Sequence, residues 1–373
     1  MLSRLQELTG AEFPLFAFSH CRDVVVAVSR AGGFGVLGGS SFTPETLEEE
    51  LRWIDAHIDG KPYGVDILIP ENMTMPAGVT GDMLAASVPE AHVAFTERLL
   101  DSAGVNASRD GLVSNVLPVM AHELCEQLLD VAFRHPIRLI VNALGIAPPM
   151  MIERARKAGV PVGALVGAKE HAVRQAKAGV DVLVAQGTEA GGHCGEVSTL
   201  VLVPEVIRAV AEYGAPPVLA AGGIVTGAQM AGLMAMGAQG AWTGSVWLAT
   251  TESEVSEIVR EKMIAATSRD TLRSTFRTGK PCRQLNSTWF EAWHGPESPG
   301  KLGMPQMGLI SQPAFRRIEK AAATGNLVAR DMVSYFVGQG VGLIDQIRSA
   351  SGVVQDFKED YLAAIERINA TLE

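Results

Sequence analysis

The chain has 373 residues, 47% hydrophobic and 19% charged, with a formal net charge of −10. That composition describes a globular protein with a substantial core; it excludes the basic face a nucleic-acid partner needs, a membrane span of roughly 18 apolar residues, and, in the polar first ten residues, a signal peptide. The four cysteines are far apart, with no CxxC pair, which fits a reduced, cytoplasmic protein rather than a disulfide scaffold.

A rhythm of short apolar run, turn, amphipathic stretch and glycine begins early. Residues 13–18 read as a strand and 23–30 as a helix ending at Ala31-Gly32-Gly33, a C-cap pattern. Residues 34–37 are a second strand, closed by Gly38-Gly39. Thr43 and Pro44 supply an N-cap and first-turn proline for a helix to about residue 57. Residues 63–69 are the third strand. From 70 to about 134 the rhythm breaks. Residues 72–81 read as loop, and helices are expected near 89–102 and 119–133; the segment is an insertion, a place where function often resides, though a family-specific decoration is the plainer reading.

The rhythm returns with strands at 138–144, 160–166 and 180–185, separated by helices from Pro148-Pro149 to Lys157 and over 168–178. A further apolar segment, 197–203, ends at Pro204, which can open a helix at its first position. Residues 218–221 and 240–243 are the seventh and eighth strands, ending in Gly222-Gly223 and Gly244-Ser245. Helices follow at about 226–236 and 252–265. Eight strands alternating with helices before residue 270 favour a (β/α)8 barrel over a doubly wound sheet. The expected organisation is a barrel over 1–268 and a mainly helical extension over 269–373. The extension shows no strand rhythm; 274–304 reads as loop, and 313–324 and 355–369 as helices.

In a barrel the chemistry lies at the C-terminal strand ends. Here those ends are Ala17-Phe18-Ser19, Gly38-Gly39-Ser40, Asp66, Asn142, Gly167, the loop from Gln186 to His193, Gly222-Gly223 and Thr243-Gly244-Ser245. The stretch Gln186-Gly187-Thr188-Glu189-Ala190-Gly191-Gly192-His193-Cys194-Gly195 holds four glycines in ten residues, so its backbone can turn sharply and approach a ligand. His193 reads as a functional imidazole with space cleared around it, or as a surface histidine without duty. Glu189 orients that ring, or is a solvated acid. No metal-ligand spacing accompanies His193 or Cys194, and no metal is expected. Barrels frequently bind phosphate with the loops after strands seven and eight, where Gly222, Gly223, Gly244 and Ser245 can present backbone N–H groups. With Asp66 and Gln186 available to a planar heterocycle, the arrangement suits flavin mononucleotide. Pyridoxal phosphate suits it less, since Lys169, the nearest lysine, falls in a helix start.

The stretch from Ala27 through Gly33 to Gly38, the Gly187-Thr188-Glu189-Ala190-Gly191-Gly192-His193 loop, Ala220-Ala221-Gly222-Gly223-Ile224, and Gly237-Ala238 through Thr243-Gly244-Ser245 resemble the nitronate monooxygenases, FMN-dependent (β/α)8 enzymes. They lie in the family's order over about residues 13–265. The resemblance implies that His193 is the active-site histidine beside the flavin, that Gln186 and Gly187 contact its ring, and that Gly222, Gly223, Gly244 and Ser245 cradle its phosphate. Ala17, Phe18, Asp66, Gly192 and Thr243 complete the expected cofactor-binding set. The implied reaction takes an alkyl nitronate, or a nitroalkane, with O2 to a carbonyl compound and nitrite. His193 then serves as hydrogen-bond donor or cation beside a nitronate, or as base toward a neutral nitroalkane. The sequence departs from the family at the turn after strand one, where His20 follows Ala17-Phe18-Ser19, and at the third strand end, where Asp66 replaces a frequent asparagine. The same loop resembles FMN-dependent enoyl reductases, which take hydride from NAD(P)H, so enoyl-thioester or quinone reduction is the alternative. A barrel that only binds a phosphorylated ligand is the non-enzyme reading, and an oligomer is left open.

Overall fold

The computed structural model describes residues 3–69, 79–115 and 122–372. Eleven strands occur among these residues: β1 (Leu15–Ser19), β2 (Phe34–Gly38), β3 (Tyr63–Asp66), β4 (Leu139–Asn142), β5 (Val162–Val166), β6 (Val182–Gln186), β7 (Gly192–His193), β8 (Val218–Ala221), β9 (Gly240–Thr243), β10 (Thr271–Ser274) and β11 (Cys282–Leu285). Eight of them, all but β7, β10 and β11, close into a parallel barrel in which β9 pairs back onto β1. This is the (β/α)8 fold that the strand rhythm anticipates.

Alternation along each strand sorts side chains between two cores. Phe16, Phe34, Val36, Leu139, Val141, Val182, Val184, Leu219 and Trp242 fill the lumen. Their neighbours, among them Leu15, Ala17, Leu37, Val65, Ile140, Leu183 and Ala241, belong to the layer between sheet and helices. Phe16 packs against Phe34 at 4.7 Å between ring centroids and stacks with Trp242 at 6.4 Å, so the lumen is solid below the mouth. At the opposite end a short helix, Arg4–Thr9, plugs the barrel by inserting Leu5 into the lumen cluster.

The eighth helix of the alternating pattern is not the one that follows β9 in sequence. A single turn, Ser245–Leu248, and the helix Glu257–Ala265 come first. The last helix, Ala350–Asn369, is the one that packs between the helices Gly227–Ala235 and Arg22–Arg30. Gly227 is required at that contact: a Cβ there would lie 1.9 Å from the carbonyl oxygen of Phe357. Tyr361 meets Phe13 edge-on, and Lys358 Nζ donates to Ala31 O at 2.7 Å.

Several expectations are corrected. The extension does contain strands: β10 and β11 form an antiparallel hairpin that also pairs with β7. The presumed loop over 274–304 therefore holds β11 and a helix, Thr288–His294. Pro204 does not open a helix; it lies inside Thr199–Val210. The apolar run there is the helix's buried face (Leu202, Val203, Val206, Val210), and the carbonyl that loses its partner belongs to the exposed Leu200, where water can satisfy it. The helices expected at 313–324 and 355–369 begin earlier, at Gln306 and Ala350. Within the insertion, helices Gly81–Ala86, Glu90–Ser102 and His122–Ala132 are present, so Gly81 starts a helix. The rest of the loop expected at 72–81 lies mainly outside the described residues, as does the start of the helix expected at 119. Phe95 of the insertion packs on Trp293 of the extension at 4.8 Å, which joins the two decorations in one aromatic cluster.

Candidate active site

The mouth is built from residues one layer above the lumen aromatics. On β1, Phe18 continues the stack onto Trp242, 6.2 Å away, and meets His20 edge-on at 5.2 Å. The exposed His20 ring lies against Gly38, bonded through Nδ1 to its carbonyl at 3.1 Å. Any Cβ on Gly38 would sit 2.6 Å from that nitrogen. Asp66 ends β3 on the lumen side, 4% exposed, with Oδ1 lacking a hydrogen-bond partner among the described residues. Burial pushes its pKa up to about 8, partly offset by a hydrogen bond from the Ala143 backbone. The carboxyl is therefore neutral over much of the physiological range and can donate a hydrogen bond as well as accept one. Gln186 ends β6, and its half-buried amide makes no hydrogen bond among the described residues.

Two of the expected cofactor residues turn their side chains away. Ala17 packs in the outer layer. Thr243 Oγ1 donates to Phe16 O at 3.0 Å and accepts from Trp247 Nε1 at 2.9 Å; only the backbone of either can face a ligand. Asn142 is likewise consumed, clamping Ile69 and Leu144 by their backbone groups. Lys169 is ion-paired with Glu205 at 3.1 Å on the outer helices.

The glycine ends of β8 and β9 converge as expected. Gly222 and Gly223 have φ of 112° and 71°, conformations that an L side chain rarely adopts. The backbone N–H groups of Gly222, Gly223, Gly244 and Ser245 donate to nothing among the described residues. A Cβ added to Gly244 would meet nothing within 4 Å, so the space in front of this loop is open. Ser245 Oγ accepts from Gly338 N at 2.9 Å. The extension also reaches this rim at Gln339, whose N–H donates to Glu189 O at 2.8 Å. Four free N–H groups, open space and an unpaired polar atom in the layer above the lumen fit a phosphate joined to a planar polar ring.

Glu189 is not the partner of His193. Its Oε2 accepts from both the N–H and the hydroxyl of Thr199, each at 2.9 Å. The carboxylate thereby caps the N-terminus of helix Thr199–Val210, where free N–H groups and the helix dipole favour negative charge. His193 is instead held by the extension. It stands in β7 opposite Cys282 of β11, with Gly192 opposite Arg283. Its Nε2 is 2.8 Å from Thr278 Oγ1. That hydroxyl has its own acceptor in Lys280 O at 3.1 Å, which assigns the imidazole proton to Nε2 and leaves the Nδ1 lone pair free. The ring is exposed at the mouth, and the protein mass around it, together with the nearby Lys280 charge, holds its pKa below the usual histidine range. Arg283 locks the loop, donating from Nε to Thr188 O at 2.8 Å. Thr278, Lys280 and Arg283 escape sequence reasoning because only long-range pairing brings them to the mouth.

Comparison with known proteins follows the same lines. The family model for nitronate monooxygenase matches residues 4–360. A protein named as a monooxygenase in Mycobacterium tuberculosis is 49% identical over 378 residues, covering 100% of both chains. A Staphylococcus aureus protein named for nitronate monooxygenase is 26% identical over 78% of this chain and 79% of its own. Among solved structures, a nitroalkane oxidase from Streptomyces ansochromogenes superposes with a TM-score of 0.79 at 24% identity, covering 98% of this chain and 100% of that one. FabK from Thermotoga maritima gives 0.69 at 24% identity, covering 100% and 99%.

Proposed function

Since the chain belongs to the nitronate monooxygenase family, we propose that this enzyme oxidises alkyl nitronates, and nitroalkanes through the same site, with FMN and O2 to a carbonyl compound and nitrite. The observation that carries this reading is His193 at the barrel mouth, its Nε2 tied to Thr278 and its pKa held below the ordinary histidine range.

FMN, when bound, supplies the electron acceptance that neither His193 nor any other side chain at the mouth provides. Its phosphate would be held by the N–H groups of Gly222, Gly223, Gly244 and Ser245, and its ring by Asp66, Gln186 and the backbone at Gly192; the Gly187 N–H is not available to it, since it already donates to Ala221 O at 2.9 Å. Neutral Asp66 can donate to a ring acceptor without placing a negative charge beside it. A nitronate arrives as an anion and needs no base. A neutral nitroalkane must lose its α-proton, and His193 Nδ1 is the acceptor available at neutral pH. The lowered pKa weighs against a permanent imidazolium at that position. Phe18 and the lumen aromatics beneath it exclude water from below.

The test is anaerobic flavin absorbance of the purified protein, with ethyl nitronate in one cuvette and NADH or NADPH in another. Bleaching by the nitronate alone supports the proposal. Rapid bleaching by a nicotinamide moves the protein to the second reading, reduction of an enoyl thioester or quinone, which the fold shared with FabK supports. A colourless protein that takes up no FMN sinks both.

A further inference from the structure

We propose that Arg273 and Arg283 form a binding site for a phosphate group, on the face of the small sheet opposite His193 and so outside the reaction proposed above.

The register of β7, β10 and β11 sets this site. Cys282 stands opposite both His193 and Ser274, while Arg283 stands opposite Gly192 and Arg273. Side chains alternate along a strand, so the imidazole belongs to one face and the two guanidiniums to the other. The contacts agree: Thr278 meets His193 and Cys282, whereas Cys194 lies with the arginines. Like charges directly opposite each other destabilise a ladder, and the acids nearby offset this pair only weakly. Arg273 Nη1 is 3.5 Å from Glu196 Oε1, but that carboxylate is 83% exposed, and exposed pairs contribute little. Arg283 feels the charge of Glu189, whose Oε2 is taken by Thr199. Burial raises the pKa of Cys194 above the ordinary thiol range although both guanidiniums lie beside it, so the thiol supplies no counter-charge.

Hydrogen-bonding capacity is left over in the same place. Arg283 is 7% exposed. Its Nε donates to Thr188 O at 2.8 Å and its Nη1 to Thr271 Oγ1 at 3.3 Å, while Nη2 donates to nothing among the described residues. The Nε of Arg273 is buried without an acceptor among them, and its Nη2 reaches only Cys194 O, at 3.5 Å. An enclosed guanidinium short of acceptors costs several kcal/mol. Two forks side by side on adjacent strands match the oxygens of a tetrahedral oxyanion, which accepts paired N–H···O bonds from each; a planar carboxylate satisfies one fork. Glu196, being exposed, is free to give way to it.

The test is titration calorimetry of inorganic phosphate into the flavin-loaded enzyme at constant ionic strength, with acetate as the planar control and glycerol 3-phosphate as a phosphomonoester. Saturable binding of one phosphate per chain is expected, weakened roughly 10- to 100-fold in R273M, less in R273K, and held within about twofold of wild type in H193A. Whichever of the two phosphates binds more tightly tells a free ion from a phosphorylated molecule, and either supports the site. An absence of saturable binding, equal binding by wild type and R273M, or acetate binding as tight as phosphate each overturns the proposal. So does a loss in H193A as large as that in R273M, which would place the anion beside the imidazole. Phosphate entering an empty flavin cradle is insensitive to R273M, so incomplete flavin loading does not imitate the expected result. If R273M does not fold, E196Q decides: removing the competing carboxylate should tighten phosphate binding several-fold, and an unchanged or weaker affinity overturns the proposal.

Discussion

Cys282 stands directly opposite His193 in an antiparallel ladder, so a strand of the extension fixes a histidine of the barrel. The Thr278 hydroxyl completes that hold on the ring. Thr278→Val removes the acceptor of the Nε2 proton and frees the ring to rotate. A fall of roughly 10- to 100-fold in kcat with a neutral nitroalkane is expected, together with a displaced acid limb in the pH–rate profile. Flavin content, read from the absorbance ratio, should not change; an unchanged profile would show that Thr278 does not position the imidazole.

His193→Ala should keep FMN and lose about 10²- to 10⁴-fold in kcat/KM for a nitroalkane, with a smaller loss for the preformed nitronate. In the wild type the nitroalkane rate should be flat near neutrality and fall only below the usual histidine pKa, since burial and Lys280 hold the ring neutral. The variant should lack that limb. Equal losses for nitroalkane and nitronate would argue against a base.

Glu189→Ala tests the cap. Losing two bonds to Thr199 should cost about 1–2 kcal/mol of stability, seen as a lower thermal midpoint. The acid limb of the nitroalkane profile should stay in place. Movement of that limb would return Glu189 to the role of orienting the imidazole.

The phosphate cradle is tested at Gly244 rather than Gly223. At Gly223 a side chain is strained by φ of 71° and meets Glu189 Cβ at 3.1 Å, so any loss of flavin there could reflect misfolding. At Gly244 the backbone has φ of −131° and a Cβ meets nothing. Gly244→Leu should fold, by far-UV circular dichroism, and purify without flavin. A fully yellow variant would contradict the cradle.

Asp66 gives a pH signature. Its folded pKa of about 8 lies above the ordinary 3.8, so the folded chain binds the proton more tightly than the unfolded one. The stability it contributes is complete below about pH 4 and is lost as pH rises toward 8, by on the order of 5 kcal/mol. Asp66→Asn should therefore raise the thermal midpoint of flavin-free protein at pH 8 more than at pH 5. An equal effect at both values would show that the carboxyl is already ionised when folded.

The barrel was legible because each strand is an apolar run of the right length, closed by glycine or a polar residue and spaced by an amphipathic helix. The loop that carries His193 was legible because two consecutive glycines precede a single imidazole at a strand end; Gly191 proves to be required by packing, since a Cβ there would lie 2.8 Å from Gly338 N. The hairpin was not. Arg273, Arg283 and Gln284 break its apolar pattern, and they lie in strands because of distant partners, as when Arg283 bonds Thr188. Helix Thr199–Val210 misled because its apolar face precedes a proline that a helix interior normally excludes, and its N-terminal signal is a carboxylate ten residues upstream rather than a local cap.

The placement of helix Ala350–Asn369 has a consequence for biosynthesis. The strand that starts the barrel is flanked by helix Arg22–Arg30, and among the described residues the groove between that helix and Gly227–Ala235 is filled by helix Ala350–Asn369. During translation the first strands must wait, with an apolar seam uncovered, until the distant segment from Ala350 onward has been made. Loss of the segment from Ala350 onward would then be as damaging as a lesion in the first strands.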